Sequence, residues 1–169
     1  MTAQPAGGSP STAPEEAART AVEADILHVV ALAGAAAEEK SRQKGGSIWA
    51  RREGRPAPRE AALRLALESP DHEVAVGTLD GTVVGYGVVR VETLLDGGLL
   101  GVIDDIYVDP GARAVGVGEA LMNHLLAWCA TRGCFGVDSL ALPGDRETKN
   151  FFESFGLVAR AIVVHRPLS

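Results

Sequence analysis

The sequence predicts a single α+β domain built on a mixed, mostly antiparallel sheet flanked by helices. Three observations carry this. Val-rich, period-two segments follow one another from His72 with short turns between them. Segments of helical period lie before and after that meander. A glycine-rich junction, Val108-Asp-Pro-Gly-Ala-Arg-Ala-Val-Gly-Val-Gly118, then joins a strand to an amphipathic helix.

The elements follow in order. Residues 1–14 are rich in Pro, Gly, Ser, Thr and Ala without a hydrophobic period, which predicts a disordered tail ahead of a domain at 15–169. A short strand is expected near Ala17–Glu23. Asp25 then opens a helix carrying Ile26, Leu27, Val30 and Leu32 and ending about Lys40. The stretch Ile48–Pro58 reads as an irregular cationic segment with an exposed Trp49, and Arg59–Glu68 as a second helix. Glu73–Leu79 and Thr82–Thr93 are strands joined by the hairpin turn Asp80-Gly81. Leu99–Val108 is the next strand, and Gly116–Arg132 is a helix with Val117, Leu121, Leu125 and Trp128 on its core face. Val137–Leu142 is a strand stopped by Pro143-Gly144, Thr148–Phe155 a helix closed by Gly156, and Leu157–His165 a last strand.

Composition excludes several classes of function. The chain is 169 residues long with a net charge of −6 and no basic stripe, so a nucleic-acid partner is not expected. The longest apolar run, Ile26–Ala37, is broken by His28 and Gly34 and is too short for a bilayer, so no membrane partner is expected either. The first residues lack a basic and apolar leader, and the two cysteines, Cys129 and Cys134, read as reduced core thiols. A cytoplasmic protein is the expectation. The four histidines show no ligand spacing, so no metal is expected.

The chemistry lies in the junction. A helix start offers free backbone N–H groups and the positive end of the macrodipole, and glycines let a phosphate approach closely. Arg113 adds a positive charge. A dinucleotide fingerprint would need Gly or Ala at position 121, where Leu121 stands, and a parallel strand–helix–strand unit, which the meander is not. A phosphate-binding loop of the Walker type would need Gly-Lys-Ser/Thr where Gly118-Glu-Ala stands.

What remains, Arg113-Ala-Val-Gly-Val-Gly118 between an antiparallel strand and a helix, resembles the pyrophosphate motif of the GNAT superfamily of N-acetyltransferases. Ile103-Asp-Asp-Ile-Tyr-Val-Asp-Pro110 is similar to that family's fourth strand, and Asp80-Gly-Thr-Val-Val-Gly-Tyr-Gly87 to its hairpin. Asn150-Phe-Phe-Glu-Ser-Phe-Gly-Leu157 looks like its late helix. The element order matches from near Thr20 onward. The resemblance implies a three-layer α/β/α domain that transfers acetyl from acetyl-CoA to a primary amine on a small molecule or a protein N-terminus. It implies no metal, and a homodimer is expected from it.

Carried over residue by residue, it puts the pyrophosphate on the backbone of Arg113, Ala114, Val115, Gly116, Val117, Gly118 and Glu119. The pantetheine arm falls along Ile106 and Val108. Asp145, Lys149 and Phe152 come near the cofactor, although Lys149 reads better as a solvated helix residue. Asp104 and Asp105 are both candidates for the base that takes the amine proton. As neighbours on a strand they are expected on opposite faces, one toward the acceptor and one away, and either can instead be an ion-paired sheet residue. Phe152 stands where the family has a tyrosine that protonates the thiolate. A phenyl ring donates nothing, so the thiolate leaves unprotonated or takes its proton from water or another residue, which a thiol pKa of about 8.5 tolerates.

Arg51, Arg52 and Arg55 can receive an anionic group of the acceptor or stay solvated, and Trp49 can wall an amine by cation–π contact or cap the core. Two other readings stay open: a non-catalytic acyl-CoA-binding or regulatory module, for which Phe152 speaks, and transfer of a larger acyl group into room left by Gly85 and Gly87.

Overall fold

The computed structural model describes residues 13–168, so nearly all of the expected tail lies outside the described residues. The chain runs β1 (Glu16–Thr20), α1 (Ile26–Ser41), α2 (Gly46–Arg52), α3 (Arg59–Glu68), β2 (His72–Leu79), β3 (Thr82–Thr93), β4 (Leu99–Val108), α4 (Val117–Thr131), β5 (Gly136–Ser139) and α5 (Arg146–Ser154). The five strands form one sheet in the order β1-β2-β3-β4-β5. The first four are antiparallel, and β5 joins β4 in parallel. This is the mixed α+β architecture that the meander predicts.

Alternation along the strands sorts side chains into two cores. On one face Val74, Val76, Tyr86 and Val88 pack with Ile26 and Val29 of α1 and Leu63 of α3. On the other, Ala75, Val89 and Ile103 pack with Val117, Leu121, Met122, Leu125 and Cys129 of α4, and with Phe152 of α5. Each of the large aliphatic side chains here contributes about 1.5–3 kcal/mol by leaving water.

Helix α4 lies close against the sheet because glycines face it. A Cβ on Gly77 would stand 2.6 Å from Val117 Cγ1, and one on Gly87 would stand 2.8 Å from Leu125 Cδ1. The room expected at Gly85 and Gly87 for a longer acyl chain is therefore taken. A Cβ on Gly85 meets Tyr107 O at 2.9 Å and Leu121 Cδ1 at 3.1 Å, so α4 fills the space.

Two further expectations are corrected. The stretch at 48–58 is not wholly irregular: α2 occupies its first part, and Trp49 is buried rather than exposed, at 6%. Its indole turns inward beneath Lys40, whose Nζ lies 4.9 Å from the ring centroid. The last strand is not formed. Residues 157–168 join no ladder, and Val158, Ile162, Val163 and Val164 are exposed. Branched residues favour the extended backbone, but a strand also needs a partner's hydrogen bonds. The segment instead touches β5 through a side chain, Arg160 Nε donating to Asp138 at 2.9 Å.

Because Val117 is branched and fully buried, Gly77→Ala is expected to cost about 1–3 kcal/mol, read as a lower urea midpoint at unchanged m-value.

Candidate active site

The site arises where two strands part. β4 and β5 pair only from Leu100↔Gly136 to Ile103↔Ser139. Beyond that point β5 has ended, and the chain turns through Pro143-Gly144 into α5. Asp104–Val108 therefore keeps its hydrogen bonds to β3 on one side and offers an open edge on the other. The parting opens a cleft of about 560 Å³. Its floor is Asp104–Val108, one wall is Ser139, Leu140, Phe151 and Phe152, and its far end is closed by Ala36, Lys40 and Gln43 with Trp49, while Glu39 reaches Arg113 of the junction.

At its other end the cleft meets the glycine-rich junction. Asp109 Oδ1 accepts from the N–H of Gly111 at 2.9 Å and starts the turn. The chain then passes through Ala114 at φ +63° and Gly116 at φ +92°, the second being the N-cap of α4. No side chain caps α4, so the N–H groups of its first turn, at Val117, Gly118 and Glu119, have neither an intrahelical partner nor a side-chain one. Gly116 is demanded by its left-handed backbone. Gly118 is not demanded by the fold: a Cβ there would meet nothing nearer than Phe151 Cε2 at 3.5 Å. Ala114, Gly116, Gly118 and Glu119 line the cleft. Val117 is fully buried against the sheet, so only its backbone is available, and the Val115 side chain is partly exposed outside the cleft.

Arg113 does more than add charge. Its Nε donates to the carbonyl of Val108 at 3.0 Å and its Nη2 to Glu39 at 2.8 Å, while the guanidinium lies 5.3 Å from the Tyr107 ring centroid. It fastens the junction to the end of β4 and to α1, and Glu39 balances its charge.

The two carboxylates sit differently from expectation. The ladder pairs Val88 with Asp105 and Val89 with Ile103, leaving Asp104 as the extra residue of a bulge. A bulge resets the alternation, so Asp104 and Asp105 both line the cleft instead of facing opposite ways. Their partners then separate them. Asp105 is held by Arg55, Nε at 3.1 Å and Nη2 at 2.5 Å, in a pair only 13% and 16% exposed. Asp104 has a single long contact, 3.3 Å from Arg90 Nε. Burial raises its pKa above the usual carboxylate value, Arg90 and Arg55 opposing. Asp105 is thus held in a close, mostly buried ion pair, whereas Asp104 is left with one long contact and a raised pKa.

Asp145 is the N-cap of α5, accepting from Thr148 N at 3.0 Å. Burial works against its charge, yet the bonds from Thr148 and the Gln43 side chain hold its pKa below the ordinary value. Phe152 is buried and lines the cleft beside Phe151. Lys149 is not brought to the site: it points to solvent and pairs with Glu153 at 2.5 Å, as i,i+4 spacing on an exposed face favours. Arg51 and Arg52 are exposed and line neither cavity, and Arg55 is committed to Asp105. A second, smaller cavity of about 50 Å³ adjoins the cleft, sharing Trp49, Tyr86 and Asp105 with it and adding Ala33, Ala50 and Arg59.

Lys40, Gln43 and Glu39 are site residues that the sequence reading missed. The signal was there in Ala36 and Lys40, which share one face of α1 at helical spacing, with Gln43 just past its end. Among the described residues no cluster of His, Cys, Asp and Glu could hold a metal ion, and no helix is long and apolar enough to cross a membrane.

Comparison with known proteins agrees with this geometry. The model of the acetyltransferase (GNAT) family matches residues 35–157. Among solved structures, a transcriptional regulator from Bacillus halodurans is similar at 19% identity and a TM-score of 0.70, over 91% of this chain and 100% of the other. An aminoglycoside N-acetyltransferase in complex with CoA is similar at 15% identity and a TM-score of 0.70, over 94% and 99%. A glucosamine-6-phosphate N-acetyltransferase from Arabidopsis thaliana is similar at 21% identity and a TM-score of 0.64, over 92% and 99%.

Removing the guanidinium beside Asp105 strands a buried carboxylate. Arg55→Met is expected to cost about 3 kcal/mol at neutral pH. The loss is read as a lower urea midpoint at unchanged m-value.

Proposed function

The chain belongs to the acetyltransferase (GNAT) family, and we propose that it transfers an acetyl group from acetyl-CoA to a primary amine by direct attack on the thioester. One observation carries the reading: the open edge of β4 and the uncapped start of α4, joined by the 109–116 junction, line one cleft together with Asp104. That supports an extended ligand whose anionic part lies on the helix start and whose reacting atom lies near Asp104.

The chain's own residues then have distinct tasks. The N–H groups of Val117, Gly118 and Glu119, with the backbone of Arg113–Gly116, receive the pyrophosphate. The exposed backbone of Ile106 and Val108 pairs with the pantetheine amides as an added strand would. The thioester supplies the activated acyl group. Backbone N–H groups at this edge stabilise charge that develops on its carbonyl oxygen. Asp104 takes the proton that the acceptor amine must lose, directly or through a water, while Arg55 holds Asp105 in an ion pair. The acceptor enters past Trp49 and the smaller cavity, and a small amine or a protein N-terminus both fit this description. The two free thiols accord with a reducing, cytoplasmic setting.

A second reading rests on Phe152. With no hydroxyl at that position, the same cleft would suit a module that binds acyl-CoA without turnover. The deciding measurement is thiol release from acetyl-CoA across a panel of amines. Turnover is expected, rising with pH as Asp104 loses its proton, and Asp104→Asn should lower kcat about 10²-fold and remove that acid limb. Absence of turnover on every amine, with acetyl-CoA still bound, would favour the binding module. Gly118→Ala is expected to weaken acetyl-CoA binding about tenfold, or 1.4 kcal/mol, by calorimetry, while the thermal midpoint stays near that of the parent chain.

A further inference from the structure

We propose that the Lys40 ammonium meets the departing thiolate of coenzyme A and gives it a proton, the task for which Phe152 has no donor. The inference rests on the acetyl-transfer reading above. Lys40 lies in the last turn of α1 and lines the same cleft as Asp104, Asp105, Ile106 and Phe152. Its Nζ is held over the Trp49 ring at 4.9 Å, a contact that fixes a cation without neutralising it.

The charged groups that face it are engaged elsewhere. From β4, Asp105 is bound to Arg55; from the start of α5, Asp145 caps the helix through Thr148; on α1 itself, Glu39 is bound to Arg113. What remains is a mostly buried cation whose nearest negative charges are balanced by other partners. A transient anion in the cleft is its natural counter-charge. Burial also lowers the proton affinity of Lys40, with Asp105 and Asp145 opposing, and this brings the ammonium closer to a thiol in acidity.

The step balances. The acceptor nitrogen bonds to the acyl carbon as the carbon–sulfur bond breaks. The sulfur leaves with the bonding pair and takes a proton from Nζ, giving the free thiol and a neutral lysine. The proton lost by the nitrogen passes to Asp104 and then to water, and Lys40 regains its own from water. Arginine at position 40 would keep the charge but not release a proton.

The test does not depend on finding the acceptor. The thiol of coenzyme A is titrated by the ultraviolet absorbance of its thiolate, free and in complex with the wild-type chain, Lys40→Gln and Lys40→Arg. Bound to wild type it should ionise about one pH unit below the free thiol. Lys40→Arg should keep that shift and Lys40→Gln should lose it. In the transfer assay Lys40→Gln should lower kcat about 10²-fold with little change in the KM for acetyl-CoA, and Lys40→Arg should recover only part of the loss. An identical thiol titration in wild type and Lys40→Gln would overturn the assignment. So would a Lys40→Gln defect confined to the KM of the amine, which would make Lys40 a reader of the acceptor. Failure of the wild-type chain to bind coenzyme A would instead bring down the acetyl-transfer reading itself, and this inference with it.

Discussion

Everything at the site depends on β5 pairing with β4 for only four residues. A backbone N–H or C=O must be satisfied by something, whether chain, water or ligand. Where β5 stops, the second half of β4 is left as an edge in the middle of the fold rather than at its rim. Such an edge is a recognition surface because its hydrogen-bond pattern repeats and its floor is rigid. β3 anchors that floor from behind through four residue pairs, from Gly85↔Val108 to Val88↔Asp105.

Around this edge, arginines set the electrostatics. Arg55, Arg90 and Arg113 each take a carboxylate of the cleft, and they do so unequally. Arg55 holds Asp105 at short range with both groups nearly buried, and Arg113 holds Glu39 while also bonding the last carbonyl of β4. Arg90 only grazes Asp104 and has Glu92 as its closer partner, at 2.9 Å. The difference in contact length leaves two adjacent aspartates in unlike surroundings, one held close by its arginine and one only loosely contacted. Lys40 completes the set as the cation left over.

Much of this was legible in the sequence because it is local. The Asp80-Gly81 hairpin, the Val-rich period of β2 and β3, and the glycines that open α4 depend on few residues and on backbone rules. What escaped is what depends on partners. Leu157–His165 has the residues of a strand and no neighbour to pair with. Trp49 sits in a cationic stretch and is nevertheless buried, because Lys40 and the cleft lie over it. The bulge at Asp104 is invisible in a run such as Ile-Asp-Asp-Ile, since it comes from the register with β3. For that reason the sequence could nominate both aspartates but not say that they share a face, nor that Arg55 holds one of them. The Lys149 placement failed for the opposite reason: its i,i+4 partner Glu153 was visible, and that local pair prevailed.

The glycines beneath α4 have a consequence for which donors the cleft can use. With Val117 and Leu125 pressed onto Gly77 and Gly87, the helix cannot slide, so its start is locked relative to the β4 edge. The four steps from Asp104 to Val108 span about 13 Å. On the proposed reading the cleft is thus a gauge, with the pyrophosphate at the helix start and the acceptor's proton at Asp104. A donor whose acyl carbon adjoins its phosphate, as in an acyl phosphate, cannot touch both ends at once. One that carries its phosphates on a long, amide-bearing arm can.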